Sequence, residues 1–254
     1  MANTLLKRCG YALLSGMVVA LSGCSDEIEI ADLKLLSIHV GIDDSPPHLT
    51  VGLGFGRAEG DDTCYELSSD TRATVDGLEL TAVSLGGHMT DHDFTGYCID
   101  SAVFESTDVS LASSESTSKV RFEDDTGHIE LSVTNLLVAR KVSFLQPADG
   151  HFHAGDEVTL QWFPPIVGPA SVFVDFHTPT SGAASFGTDE VTVSPEGDTL
   201  TFKASGGGLG PAPGELSVTV STELATASCT AEVCGAESFA RKVIPAVFEG
   251  PPSP

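Results

Sequence analysis

The chain has 254 residues, of which 36 are acidic and 12 are Lys or Arg, so its formal net charge at pH 7 is −24. A surface this acidic repels nucleic acid and anionic lipid headgroups, and we therefore exclude a nucleic-acid partner. Hydrophobic residues make up 41% of the chain, which is enough to form packed cores.

The first 24 residues have the pattern of an export signal. Lys7 and Arg8 form a short positive patch, no acid precedes Asp26, and an apolar run extends from Tyr11 to Leu21. This run is shorter than the roughly 20 residues that a membrane-spanning helix needs. Its length suits the core of a signal peptide, which we assign to residues 1–23.

The apolar run ends in Leu21-Ser22-Gly23-Cys24, which resembles the lipobox of bacterial lipoproteins. The resemblance implies cleavage before Cys24 and covalent attachment of diacylglycerol and an N-acyl chain such as palmitate to that cysteine, with no other cofactor. Several acyl chains anchor a protein stably, because each buried methylene contributes about 0.8 kcal/mol. In this family, a serine after the cysteine, here Ser25, favours the outer membrane of the cell envelope. An ordinary signal peptide or an uncleaved anchor is the alternative.

Four cysteines remain after the signal peptide and Cys24 are set aside: Cys64, Cys98, Cys229 and Cys234. An even number in an exported chain indicates disulfides, and three pairings are possible. We favour Cys64–Cys98 and Cys229–Cys234, because each then lies within one predicted domain. The spacing of Cys229 and Cys234 does not match a thioredoxin-like motif, and the four cysteines do not have the arrangement of a zinc site.

Residues 24–31 are predicted to be an acidic tether, and residues 32–140 a first β-sandwich domain. Apolar residues alternate with polar residues or glycine over 36–42 and 49–55, and this period of two predicts half-buried strands. Turn residues at 76–77 and 124–127 predict two hairpins. No long window after Cys24 has helical periodicity, so we predict an all-β chain in which each half holds one sandwich core.

A second β-sandwich domain is predicted for residues 141–249. The stretch 144–162, which ends in Trp162, resembles the opening strands of immunoglobulin-like modules of bacterial surface proteins. The resemblance implies an antiparallel sandwich with an immunoglobulin-like architecture. The strand pattern supports a sandwich independently, with Trp162 in its core and further alternating runs at 172–176, 200–202, 216–220 and 239–247. Residues 250–254 are predicted to be a disordered tail.

The densest cluster of candidate metal ligands lies at residues 86–93. Two imidazoles and two carboxylates close together can ligate zinc or copper, and the candidates are His88, Asp91, His92 and Asp93. The preceding glycines, Gly86 and Gly87, favour a loop over the helix on which a His-x-x-x-His pair usually works. A polar loop without a metal is the alternative. His151 and His153 form a second, weaker candidate, and the paired acids lack the spacing of a calcium loop.

The sequence contains no catalytic motif that we recognise. Residues 24–254 have no Gly-x-Ser-x-Gly elbow, and the glycines at 206–210 lack the lysine of a phosphate loop. We therefore predict a non-enzymatic envelope lipoprotein that is held at a membrane by its lipid and presents its loops to a protein or polymer partner. A metal-binding module (zinc, copper or calcium) and a carbohydrate-binding module are the alternatives, although 3 Tyr and 1 Trp provide few residues for sugar stacking.

Overall fold

The computed structural model describes residues 7–9, 12–14, 17–19, 24–33, 35–44, 46–55, 63–90, 96–179, 182–186, 190–204, 210–223 and 233–250. These residues form β-strands and a single 3-10 turn, so the prediction of an all-β chain is confirmed. Across these ranges, no helix has the length and apolar character required to traverse a bilayer.

Fifteen strands lie in the part of the chain before residue 141, counted over the described residues. They are β1 Lys7–Cys9, β2 Ala12–Leu14, β3 Met17–Val19, β4 Cys24–Ile28, β5 Leu35–Asp44, β6 Pro47–Phe55, β7 Cys64–Leu67, β8 Arg72–Val75, β9 Leu78–Glu79, β10 Thr81–Ser84, β11 Gly87–Thr90, β12 Gly96–Ile99, β13 Ser101–Ser106, β14 Thr117–Glu123 and β15 His128–Thr134. The 3-10 turn, Ile30–Asp32, joins β4 to β5.

Nine further strands lie in the second part of the chain, again counted over the described residues. They are β16 Lys141–Gln146, β17 His151–Phe152, β18 Glu157–Phe163, β19 Ala170–Thr178, β20 Gly182–Phe186, β21 Val191–Val193, β22 Thr199–Lys203, β23 Ala212–Glu223 and β24 Val233–Phe248. The last strand is longer than the run at 239–247 that the sequence predicts.

One nine-stranded sheet runs through both halves of the chain. Its order is β10-β13-β6-β5-β24-β23-β19-β20, and β17 pairs with β24 beside this path. The first part of β24, Val233 to Arg241, pairs in parallel with β5. Along its other edge, β24 pairs antiparallel with β23 from Glu237 to Phe248. The predicted boundary at residue 141 therefore separates sequence halves that share a sheet.

Five smaller sheets accompany the large one in the described residues: two have four strands, one has the order β1-β4-β7, and β11-β12 and β2-β3 are two-stranded. The first four-stranded sheet has the order β15-β14-β8-β9 and the second the order β16-β18-β22-β21. Ile38 pairs with Ala236, and Ile244 pairs with Leu216. Ala236 and Ile244 are an even number of residues apart on β24, so these side chains share one face of the large sheet. Ile38 and Leu216 are fully buried, so the cores under both four-stranded sheets lie on this face, whereas His39 and Arg241 on the opposite face are about half exposed.

The buried residues of both halves belong to one hydrophobic cluster. In the first half, the rings of Phe104 on β13 and Phe122 on β14 meet edge to face, with centroids 5.8 Å apart. In the second half, Phe152, Phe176 and Phe248 form a ring cluster with centroid distances between 5.6 and 6.2 Å. Edge-to-face pairs of this kind contribute about 0.5–1.5 kcal/mol beyond their buried area. Trp162 is 3% exposed, which confirms its predicted place in the core.

The two predicted hairpins are present. Asp76 and Gly77 both have positive φ, 51° and 83°, as a tight type I′ turn requires, and they connect β8 to β9. The second hairpin pairs β14 with β15, and Glu123 faces His128 across its turn. The alternating residues of β5 and β6 are buried as predicted, because their apolar side chains face the first core.

On the open face of the large sheet, side chains of β24 contact side chains of its two neighbours, β5 and β23. His39 Nδ1 lies 2.9 Å from Glu237 Oε1, and Arg241 Nε donates a 2.9 Å hydrogen bond to Ser217 Oγ. The ring of Phe239 covers Gly41, where any Cβ would overlap it. Exposed ion pairs contribute little stability, so the seam depends on backbone pairing and on the absence of a side chain at Gly41.

Because β24 belongs to the sheet of both halves, we expect the two halves to unfold together. Leu131 on β15 and Leu200 on β22 are both fully buried, one in each four-stranded sheet. Leu131→Ala and Leu200→Ala should each lower the free energy of unfolding by about 2–5 kcal/mol. In calorimetry, both variants should shift the midpoint of one common transition. Two separate transitions, each shifted by only one of the variants, would contradict the shared sheet.

Candidate functional site: the Cys24 edge and the cleft between the halves

The residue predicted to carry the lipid is the first residue of a paired strand. β4 begins at Cys24 and runs parallel to β7, with Ser25 beside Cys64 and Ile28 beside Leu67. Ser25 and Asp26 are 7% and 8% exposed. β1 pairs antiparallel along β4 in the register that sets Cys9 opposite Cys24. The segment predicted as a tether is thus part of a three-stranded sheet.

The 3-10 turn after β4 is held to the first sandwich by Asp124. Ile30 is fully buried, and its backbone N–H donates a 2.7 Å hydrogen bond to Asp124 Oδ2. Asp124 Oδ1 also accepts hydrogen bonds from the Thr126 hydroxyl and from the N–H groups of Thr126 and Gly127. Burial alone would raise the pKa of Asp124, but these hydrogen bonds outweigh it, so the pKa lies below its ordinary value of 3.8. The carboxylate is therefore charged at neutral pH and fastens residue 30 to the β14–β15 turn.

We call the strand pair β4 and β7, which begins at Cys24 and Cys64, the Cys24 edge. The β11–β12 hairpin lies beside it. Cys98 on β12 is bonded to Cys64 on β7, with a Cα–Cα distance of 5.1 Å, which confirms the first predicted disulfide. The His88 N–H donates a 2.9 Å hydrogen bond to Ser25 Oγ. Gly87 has φ of +99°, and a Cβ there would lie 2.9 Å from the same Ser25 oxygen. The disulfide and this close approach fix the hairpin against β4 and β7.

The predicted metal loop has a different local structure at its start. His88 lies in β11, paired with Cys98, where the glycines before it led us to expect a loop. Gly86 forms an isolated backbone β-bridge with Glu66. The glycines therefore allow the backbone of the hairpin to lie close to β7 at the edge of its sheet. Asp91, His92 and Asp93 lie outside the described residues. Within the parts of the chain that the structure describes, no three His, Cys, Asp or Glu side chains converge.

The remaining predicted site residues are separated from this edge. His151 Nδ1 lies 2.7 Å from Glu249 Oε1, and His153 Nδ1 lies 3.4 Å from Asp156 Oδ2. Each imidazole thus has its own carboxylate partner. Cys229 lies outside the described residues, and the Cys229–Cys234 disulfide stays a prediction.

A cleft of about 290 Å³ lies at the junction of the two halves. One wall comes from the end of β15 and the segment after it, and the other from β18, β23, β24 and the loop after β18. Its lining combines neutral hydroxyl and amide groups with apolar and ring side chains and two charged residues: Ser132, Thr134, Asn135, Arg140, Trp162, Pro164, Pro165, Ile166, Val167, Val220, Thr222, Glu223, Ser238 and Ala240. Sequence reasoning missed this cleft, because its residues come from five separate stretches and share no motif.

The guanidinium of Arg140 builds one wall of the cleft. Its two terminal nitrogens donate to the backbone carbonyls of Asn135, Leu136 and Val138 at 2.8–2.9 Å. Three carbonyls around one cation order the chain after β15, and Arg140 is 8% exposed. Its role in the cleft is therefore to shape the wall, with its hydrogen-bonding capacity used largely by the backbone.

A second hollow, of about 490 Å³, lies between the β8–β9 edge and β10. Thr71 is 6% exposed at its wall, and within the described residues its hydroxyl has no hydrogen-bond partner. Asp70, Arg72 and Glu79 surround the opening. This hollow is more polar and more open than a typical ligand site, which is lined mainly by apolar residues.

Comparison with known proteins gives no family for this chain. No family model matches it, and the search of curated proteins found no match.

Removing the Asp124 carboxylate should loosen the segment that follows β4. We expect Asp124→Ala to lower the free energy of unfolding by about 1–3 kcal/mol, because the N–H of Ile30 loses a charged acceptor. Asp124→Asn, which keeps one acceptor oxygen, should cost less. Because the folded pKa is lowered, the stabilisation is complete above the ordinary carboxyl pKa and is lost as the pH falls through the folded value. Urea unfolding at pH 7 and at pH 3 measures both effects, and equal destabilisation by Asp124→Ala at the two pH values would contradict this role.

Proposed function

We propose that this protein is a lipid-anchored lipoprotein of the bacterial cell envelope with a non-enzymatic binding or structural role. Acyl chains on Cys24 attach it to a membrane, and Ser25 directs it to the outer membrane. The folded part of the chain after Cys24, which we call the body, then presents its surface to a protein or an envelope polymer. The observation that carries this proposal is the lipobox at residues 21–24, which follows a basic patch and an apolar run of signal-peptide length.

The position of β4 supports processing at Cys24. Cleavage before Cys24 leaves the whole of β4 in the mature chain and preserves its parallel pairing with β7. It removes residues 1–23, which hold two basic residues and no acids, and the mature chain has a net charge of −26. A body with this charge is repelled by anionic headgroups, so the lipid itself has to provide the membrane attachment.

The cleft between the halves supports a binding role. Its size is at the lower end of the range for small-ligand sites. The hydroxyls of Thr222 and Ser238, which lie 2.8 Å apart, and the apolar side chains of Pro164, Pro165 and Val167 belong to the same wall. Neutral hydroxyls beside apolar ring surfaces suit an uncharged polar segment, such as a turn of a protein or part of a polymer. The immunoglobulin-like character of the second half belongs to this proposal and is supported by the sequence pattern of residues 144–162.

The proposal is tested on the full chain expressed in a bacterium with a lipoprotein-processing pathway. We expect the native protein to partition into the membrane fraction and its N-terminal peptide to begin with a triacylated Cys24. Cys24→Ala should abolish both the lipid and the partitioning, because no other cysteine stands at the end of the apolar run, in the position of the lipobox cysteine. Cys9→Ala is the matched control and should change neither, since Cys9 leaves with the signal peptide.

Two results would contradict the proposal. A native protein with an unmodified Cys24 thiol, or a Cys24→Ala variant that is processed and partitions normally, would overturn the lipid anchor. Turnover by the purified protein against a panel of hydrolase and oxidase substrates would overturn the non-enzymatic role.

A further inference from the structure

Two exposed apolar side chains lie together on the β11–β12 hairpin. Met89 is 46% exposed and Tyr97 is 52% exposed. They are direct cross-strand partners, so their side chains share one face of the hairpin. The neighbouring pair, His88 and Cys98, lies on the opposite face, where Cys98 is bonded to β7. The hairpin is thus held to the body by one face and presents Met89 and Tyr97 on the other.

The strand directions place this pair level with Cys24. β4 is parallel to β7, whereas Gly86 at the start of the hairpin bridges Glu66 of β7 in the antiparallel sense. β4 and β11 therefore run in opposite directions, and Ser25 contacts His88. The residue before Ser25 is Cys24, and the residue after His88 is Met89. Because the two strands run in opposite directions, one residue back from Ser25 and one residue forward from His88 lie at the same height along the strand axis. Cys24 and Met89 are therefore at the same level.

This level is where the membrane surface lies if Cys24 carries the anchor. Adjacent strands are about 5 Å apart, so Met89 and Tyr97 lie within a few strand spacings of Cys24. The interfacial layer of a bilayer is about 5–7 Å deep on each side, and the acyl chains hold Cys24 at that layer. Tyr is enriched at this depth because its ring is apolar and its hydroxyl is polar, and Met is a flexible apolar side chain.

We propose that Met89 and Tyr97 form a membrane-contact surface that inserts into the interfacial layer beside the Cys24 anchor and fixes the orientation of the body. The inference rests on the proposed lipid anchor. The lipid class that fits is zwitterionic, since both residues are uncharged and Asp26 and Glu27 follow directly on β4. The protein therefore sits with the β11–β12 hairpin toward the bilayer. β12 leads to Asp100, which lies next to Phe55 and the start of β5, whereas Ser238 at the cleft pairs with Val40, further along β5.

The test uses the full lipidated protein in phosphatidylcholine vesicles with and without bromine on the acyl chains. Met89→Trp and Tyr97→Trp place an indole in the proposed surface, and Val167→Trp is the matched control, because Val167 is 74% exposed at the cleft and lies outside the hairpin. The parent protein gives the emission of Trp162, which is buried, for subtraction. We expect a loss of emission in brominated vesicles for the indoles at 89 and 97, and no loss at 167.

The outcomes separate the two proposals. Vesicle flotation and the mass of the N-terminal peptide report the anchor independently of the indoles. If the protein floats with its lipid but the indoles at 89 and 97 are quenched no more than the one at 167, the membrane-contact surface is overturned and the anchor stands. Quenching at all three positions would also overturn it, because the contact would then not be confined to the hairpin. If the protein has no lipid and does not float, both proposals fail.

Discussion

The pairing of β24 with β5 on one side and β23 on the other is the interaction on which the architecture depends. β24 pairs with β5 over nine residues in parallel and with β23 over twelve in antiparallel register. Each half has its own four-stranded sheet, but β24 and β5 connect the two halves through continuous backbone hydrogen bonds. Gly41 allows the ring of Phe239 to lie over this seam. A strand from the end of the chain thus completes the core that the start of the chain begins.

The Cys24 edge has a fixed position relative to the first half of the chain, although its strands do not belong to the shared sheet. Asp124 holds the turn after β4, and the Cys64–Cys98 disulfide holds the hairpin beside it. A loop of this length closed by a disulfide stabilises the fold by roughly 4 kcal/mol in the loop-entropy treatment. An anchor at Cys24 would therefore be attached to an ordered edge, and the orientation of the body at a membrane would follow from the fold.

Much of the local structure follows from the sequence, because alternation reveals which face of a strand is buried. It identified β5 and β6, the turn residues identified the two hairpins, and the even number of remaining cysteines led to the Cys64–Cys98 bond. Alternation does not reveal which strand is the neighbour, so the parallel pairing of residues 35–43 with 233–241 was not predictable. Residues 24–31 were predicted to be a tether because they are acidic. The spacing of Ile28 and Ile30 already had the period of two that indicates a strand. The cleft needed the tertiary structure, since the sequence holds no motif for it.

Native-state hydrogen exchange along β24 tests the shared sheet most directly. If β24 completes both halves, its amides at residues 237–241, where it lies between β5 and β23, should exchange only through global unfolding and should be as strongly protected as the slowest amides of β6 and β18. Their exchange should also respond to urea with the slope of the global transition. Fast, urea-independent exchange in β24, while β6 and β18 remain protected, would show that the two halves are complete without it and would contradict this account.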